Sequence, residues 1–395
     1  MSGPSSSALR PIPITGFALC NGLGTTRESV RQGLYEGRCG LGPSPVPVPF
    51  PTAVGAVSVA LPELPSALAP WTTRTARLSL LLLEQLAAPL EKLRSRVRPE
   101  RIAVILGTST AGADVTEDAF AHYIKHGALP ADYDLWRHHT YGALLHVVTE
   151  LVGARGPAWV VSTACTSSAK PFATAQRLIA AGLADAAIVG GIDTLCSMTL
   201  RGFYGLDSLS PGACRPFSSQ RDGISIGEGG ALLVLEKNGE AMALLEAVGE
   251  SSDAYHISAP HPQGIGAKLA MQRALEQAGV SPGEIDYVNA HGTGTRLNDS
   301  AEAMAIASLL GSEVPVVSTK GYTGHMLGGA GASEAAIALF SLLEGWIPAS
   351  LGADPVDPTL QIRVALTREH GKYRRALSNS FAFGGNNVSV LLRAV

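Results

Sequence analysis

Among the five cysteines, Cys20, Cys39, Cys165, Cys196 and Cys214, one stands in a setting that could do covalent chemistry. Cys165 lies in the run Val161-Ser-Thr-Ala-Cys-Thr-Ser-Ser-Ala-Lys170, where a β-branched stretch gives way to small residues and then to helix formers. A strand feeding a helix opened by Thr166, Ser167 and Ser168 puts the sulfur at a helix N-terminus. Free N–H groups and the helix dipole there favour the thiolate. The thiolate is the nucleophilic form, so the expectation is a cysteine activated without a strong neighbouring base. The other four cysteines lack this setting and read as structural. The odd total of five cysteines and the absence of metal-ligand spacing suit a reducing compartment.

Two histidine segments supply a second kind of chemistry. His291, in Val288-Asn-Ala-His-Gly-Thr-Gly-Thr295, follows a short apolar run and enters a Gly/Thr turn. His325 lies in Ser318-Thr-Lys-Gly-Tyr-Thr-Gly-His325, ahead of a glycine-rich stretch that leads into a helix. Flanking glycines let a substrate approach the backbone at both. Lys320 and Glu334 flank the second histidine and are expected to pair and orient its loop. Near the C-terminus, Asn379-Ser-Phe-Ala-Phe-Gly-Gly-Asn-Asn387 can turn backbone N–H groups outward, as an oxyanion hole requires.

Other motifs carry less. Gly223-Ile-Ser225-Ile-Gly227 has the spelling of a serine-hydrolase elbow, but an irregular stretch precedes it and a strand follows, the reverse of what an elbow needs. No Walker A loop and no helix-opening G-x-G-x-x-G occurs, so no nucleotide cofactor is expected. His138-His139 reads as a surface pair, and no metal site is expected.

Elements that could position these residues recur along the chain. Short apolar runs at 101–106, 158–161, 186–189, 231–235, 287–289, 314–318 and 388–392 predict buried strands. Helical spacing at 73–93, 170–181, 267–278, 300–310 and 331–344 alternates with them, which predicts an α/β fold with helices covering parallel or mixed sheets. Residues 1–17 read as a ragged start into a strand, and the proline-rich 40–72 as a surface excursion. The Lys-Asn-Gly-Glu break after residue 236 places a boundary near 240. With 46% apolar and 16% charged residues, the 395-residue chain can bury a large core, which excludes disorder. A net charge of −3 excludes a chain-wide basic field for nucleic acid. The apolar stretch 78–90 is too short to span a bilayer, and the N-terminus has no signal-peptide pattern; a cytoplasmic location is expected.

Five blocks taken together resemble the β-ketoacyl-carrier-protein synthases of the Cys-His-His type, within the thiolase-like superfamily. They are Thr163-Ala-Cys-Thr-Ser167, Arg215-Pro-Phe217 with Arg221-Asp-Gly223, Asn289-Ala-His-Gly-Thr293, Ser318-Thr-Lys320 with Thr323-Gly-His325, and Asn379-Ser-Phe381 with Phe383-Gly-Gly385. The resemblance implies a five-layered α-β-α-β-α fold of two similar halves, here 1–240 with the nucleophile and 241–395 with the histidines, usually as a dimer. It implies condensation of an acyl thioester on Cys165 with a malonyl thioester brought by a carrier protein, with no cofactor. His291 and His325 would act on the malonyl group, supported by Lys320 and Glu334. The N–H groups of Cys165 and Phe383 would form the oxyanion hole. Phe383 would also gate an acyl pocket lined by Thr110 and Phe203.

Several wordings look more like the synthases of aryl-polyene or other specialised polyketide clusters. Ala382 stands where a glycine is usual, which implies a stiffer gate or a hinge at Gly384-Gly385. A thiolase would need a second catalytic cysteine, and none follows Cys214. A non-catalytic partner subunit of a ketosynthase heterodimer typically lacks the nucleophile that is present here. Arg137 and the segment 92–101 are the expected carrier-docking cations.

Overall fold

The computed structural model describes residues 10–395, so the reading of the first nine falls outside the described residues. Among the described residues, one continuous eleven-stranded sheet contains two five-stranded halves, with the short strand Arg363–Val364 added at the edge of the second. The first holds β1 (Ile12–Cys20), β2 (Ile102–Gly107), β3 (Ala158–Val161), β4 (Ala186–Asp193) and β5 (Gly229–Glu236), in the order β3-β2-β4-β5-β1. The second holds β6 (Ala243–Ser252), β7 (Tyr287–Asn289), β8 (Pro315–Val317), β9 (Arg375–Phe381) and β10 (Asn386–Ala394), in the order β8-β7-β9-β10-β6. Both orders are third-second-fourth-fifth-first. In each half the first three in that order run parallel and the remaining pairings are antiparallel. The two similar halves are therefore visible in topology, although no repeat is legible in the sequence. Residues Ile12 to Ile14 of β1 pair with Ala243 to Leu245 of β6 and join the halves at one corner.

Helices complete five layers. Arg74–Gln85 (α1) and Tyr141–Val152 (α2) cover the outer face of the first half. Lys170–Ala180 (α3) lies between the halves, Ile265–Ala278 (α4) and Arg296–Leu310 (α5) cover the second, and Ala330–Glu344 (α6) joins α3 in the middle. Along β2, Ile102, Val104 and Leu106 face α1 and α2, while Ala103 and Ile105 face the central layer. Burial on both faces is why these strands read as unbroken apolar runs. The stretch Leu327–Glu344 has the length and apolarity of a membrane span, but it is 89% buried, mostly as α6. Gly331 lets α6 approach α3, because a Cβ there would sit 2.8 Å from that of Ala169.

Three sequence expectations need correction. The helix expected at 73–93 breaks into Arg74–Gln85 and Ala87–Arg94. Pro89 lacks an N–H for the carbonyl four residues back, at Gln85, and its ring crowds that carbonyl. The excursion at 40–72 is not confined to the surface: Val54, Val57, Leu61, Leu64 and Leu68 are buried. The helix after Cys165 begins at Lys170 rather than at Thr166. The hydroxyls of Thr166 and Ser167 bond back to the carbonyls of Thr163 and Ala164, at 2.8 and 2.6 Å, and hold a string of tight turns instead.

Candidate active site

Loops at the strand ends bring the three expected residues together. Cys165 follows β3 on a turn whose Ala164 has φ +50°, a conformation that L-residues adopt at a cost. His291 follows β7, and His325 follows the turn Lys320–Thr323 beyond β8. Sγ of Cys165 lies 3.0 Å from His325 Nε2. The donor atoms of all three residues lie within 4.8 Å of one another, and the two imidazoles meet edge to face with centroids 5.1 Å apart. Each of the three is buried, yet all line one cavity of about 590 Å³ that opens to solvent.

Hydrogen bonding fixes which ring nitrogen carries the proton. The Leu327 N–H donates to His325 Nδ1 at 3.2 Å, so the neutral ring bears its hydrogen on Nε2, directed at the sulfur. His291 Nδ1 lies 3.3 Å from the Lys320 ammonium, which can only donate, so His291 also presents Nε2–H. Burial and the Lys320 charge hold both imidazoles neutral, with pKa values well below the ordinary range. Cysteine and two histidines at this spacing could in principle ligate a soft metal. Here both Nε2 positions carry hydrogen where a metal needs a lone pair, so the set suits an oxyanion better than a cation.

The sulfur departs from expectation. Burial pushes the Cys165 thiol up to about 11, against the pull of the Lys320 charge and of the backbone N–H groups of Cys165 and Phe383. Desolvation disfavours the charged form more than these groups recover. With α3 beginning at Lys170, the helix start stands back from the sulfur. The backbone N–H groups of Phe383 and Cys165 nevertheless reach the sulfur.

Lys320 and Glu334 form a buried ion pair, and the ammonium also donates to the His291 carbonyl. Burial raises the Glu334 carboxyl to about 7, with Lys320 opposing. Phe203 and Phe383 line the cavity with ring centroids 5.8 Å apart. Thr110 does not line it. Its hydroxyl donates to Asp193 at 2.8 Å, because the loop after β2 folds around that buried carboxylate. Ser225 of the elbow-like motif is also structural: its hydroxyl accepts from Cys214 N–H, and its carbonyl accepts from His325 N–H at 2.7 Å.

Three buried carboxylates were not singled out in the sequence. Glu302 accepts the N–H groups of His291 and Gly292, at 2.8 and 2.7 Å. Asp299 accepts those of Thr293 and Gly294. Asp193 gathers Ser109, Thr110 and Gly328 N–H groups, tying the loop after β2 to the His325 loop. Asp299 and Glu302 lie three apart on α5, a spacing that puts both on the face toward the His291 turn.

The expected docking segment 92–101 lies at the far end of β2, roughly 20 Å of strand from the site. Its Arg96 and Arg101 are held by Glu236 and Asp185. Arg137 lies over the Trp71 ring.

The chain is similar to several known proteins along its length. Residues 9–241 match the model of the beta-ketoacyl synthase N-terminal domain, and 242–354 that of the C-terminal domain. The chain is 31% identical to Nodulation protein E of Rhizobium meliloti over 98% of its own length and 100% of that protein's. It is 40% identical over 245 residues to 3-oxoacyl-[acyl-carrier-protein] synthase 2 of Mycobacterium tuberculosis, a stretch covering 58% of this chain and 59% of that protein. A chain from the ketosynthase (ApeO) in complex with its chain length factor (ApeC) from Xenorhabdus doucetiae superposes with a TM-score of 0.92 at 39% identity, over 99% of this chain and 100% of that one. With family-model matches running from residue 9 to 354 and a relative aligned end to end, the chain belongs to the beta-ketoacyl synthase family.

Proposed function

We propose that the protein catalyses decarboxylative Claisen condensation of an acyl thioester with a malonyl thioester, both delivered by an acyl carrier protein. The observation that carries this reading is the Cys165 sulfur 3.0 Å from an imidazole Nε2–H, with a second such donor in the same cavity. In the first half-reaction, the Cys165 sulfur attacks the acyl carbonyl while the N–H groups of Cys165 and Phe383 receive the oxyanion. The carrier's C–S bond breaks, and the carrier thiol leaves with the proton that Cys165 gave up. In the second, malonyl thioester loses CO2, and the C–C electron pair becomes an enolate whose oxygen is held by the Nε2–H groups of His291 and His325. The enolate carbon then attacks the acyl–Cys165 carbonyl, forms the new C–C bond and expels the thiolate.

Lys320 supports the mechanism by keeping His291 Nδ1 an acceptor, and Glu334 balances that charge. Phe383 gates the acyl pocket. The nucleophile belongs to a half comprising residues 1–240 and the histidines to 241–395. The protein works in the cytoplasm as a dimer. The Xenorhabdus complex supports pairing with a chain-length partner, while the intact cysteine and histidines support the catalytic over the non-catalytic role. The elaborated product belongs to a fatty-acid, polyene or polyketide chain.

Incubation with acyl-carrier protein tests the proposal. Intact mass is expected to rise by one acyl group, localised to Cys165, and malonyl-carrier protein should then release 3-oxoacyl-carrier protein and CO2. A protein that takes up no acyl group would instead be the non-catalytic partner.

A further inference from the structure

The wall of the cavity runs along the chain from the reacting atoms to solvent. His291 is 2% exposed, Thr293 is 6% exposed and Leu297 is 65% exposed, and all of them line the same cavity with Thr295 and Arg296 between. A linear substrate handle lying along this stretch would have its thioester at His291 and its distal end at Arg296.

Charge at the mouth is sorted. Among the described residues, Arg296 is the only lysine or arginine lining the cavity. Among the described residues it forms no salt bridge or side-chain hydrogen bond. Of the three lining aspartates, Asp222 is paired with Arg215 at 2.7 Å, and Asp253 accepts from Asn387 and the His261 N–H. The third, Asp207, is exposed. An uncommitted guanidinium at the outer end of a reaction channel fits an anion that stays near solvent, and its planar fork matches a phosphate oxygen pair.

We propose that Arg296 recognises the phosphate at the distal end of the substrate's thioester arm and so selects phosphopantetheine-type handles. This rests on the condensing reading above and adds to it a specificity residue outside the reacting atoms. Arg296 is a positioning residue: it changes how well the handle is held, not the bonds made at Cys165.

The test compares malonyl and acyl thioesters carried on 4′-phosphopantetheine with the same groups on pantetheine, which lacks only the phosphate. For Arg296→Gln, kcat/KM is expected to fall about tenfold on the phosphorylated handle, and less than twofold on pantetheine, as loss of one charge-assisted contact implies. Arg296→Lys should recover part of the loss, and the wild-type preference for the phosphorylated handle should shrink as salt rises. Equal losses on both handles, or no loss on either, would overturn the assignment while leaving the condensing activity in place. If the wild-type protein condenses neither handle, the condensing reading fails and this one with it.

Discussion

The turn that carries Cys165 and the loop that carries His325 occupy the same place in the two halves. Each joins the third strand of its sheet to the central helix, β3 to α3 and β8 to α6. The first is short, 162–169, and is held by its own hydroxyls. The second, 318–329, is longer, turns at Gly324 with φ +70°, and doubles back so that the Leu327 N–H reaches His325 Nδ1. The difference follows from what each side chain must present. A sulfur needs only to stand clear of its turn. An imidazole that must donate from one nitrogen needs a donor on the other, and for His325 the extra loop places a backbone N–H there. The two loops are also tied to each other: Ser168 N–H donates to Gly328 O at 3.0 Å, and Ala332 N–H to the Ser168 hydroxyl at 2.9 Å.

Removing the functional atom from each loop should separate their roles. Cys165→Ala is expected to abolish condensation while circular dichroism and the melting temperature stay close to wild type. Residual turnover within tenfold of wild type would show that another group is the nucleophile. His291→Ala and His325→Ala should each slow malonyl decarboxylation on the order of 100-fold, the typical effect of losing one oxyanion donor. Self-acylation should suffer less, except that His325→Ala should also slow alkylation of Cys165, since of the two histidines it is His325 that reaches the sulfur. Decarboxylation at wild-type rates in both variants would make the histidines structural.

The His325 loop also carries a buried charge that the Cys165 turn lacks. Lys320→Ala should destabilise the protein by about 3–5 kcal/mol, because it leaves Glu334 buried without its partner. Lys320→Met with Glu334→Gln should regain part of that stability without regaining activity. Urea titration of the three proteins checks it, and a cost under 1 kcal/mol for the single variant would mean that the pair is dispensable to the fold.

Stability against pH sharpens the same contrast. With both imidazoles held neutral in the fold, the unfolded chain takes up protons at these positions below its ordinary histidine pKa and the folded chain does not. Their contribution is intact above pH 6.5 and is lost as pH falls, by about 1.4 kcal/mol per pH unit for each histidine. Replacing either by alanine should flatten the decline between pH 6.5 and 5, as followed by urea midpoints. Cys165→Ala should leave that slope unchanged.

What the sequence disclosed and what it hid divide along physical lines. Residues in unusual local settings were legible: Cys165 between strand and helix, and two histidines among glycines. Lys320 and Glu334 were legible as a pair. Asp299 and Glu302 were not, because acids three apart on a helix look the same whether they face water or a turn full of N–H groups. Strands β6 and β9 were missed for a related reason. Glu246 and Glu250 interrupt the apolar pattern of β6, yet they are paired with Arg375, Arg393, Lys170 and Arg177. Polarity of that kind reads as loop until its partners are known. The thiol's expected activation by a helix start failed because burial, a property of the whole fold, outweighed a local dipole.

The segment around Phe383, proposed above as a gate, offers the finest comparison, between Ala382 and the glycines two and three residues on. Ala382 is extended, with φ −123° and ψ 153°, a conformation open to any residue. Gly384 and Gly385 carry the positive φ values, +81° and +75°, and Gly384 N–H donates to the Ile257 carbonyl at 2.7 Å. The alternative of a hinge beyond the phenylalanine is thus the one this geometry favours. A methyl group at 384 would meet nothing closer than 3.8 Å, so Gly384→Ala changes backbone freedom without a clash. That restriction costs roughly 1 kcal/mol in a left-handed conformation. Gly384→Ala should therefore alter the rate of Cys165 acylation several-fold, while Ala382→Gly stays within about twofold of wild type, 1 kcal/mol being near fivefold in rate. Stopped-flow acylation of the two variants distinguishes the hinges. A several-fold acceleration in Ala382→Gly alone would place the moving bond before Phe383, and would mean that the extended conformation of residue 382 is only one end of its range.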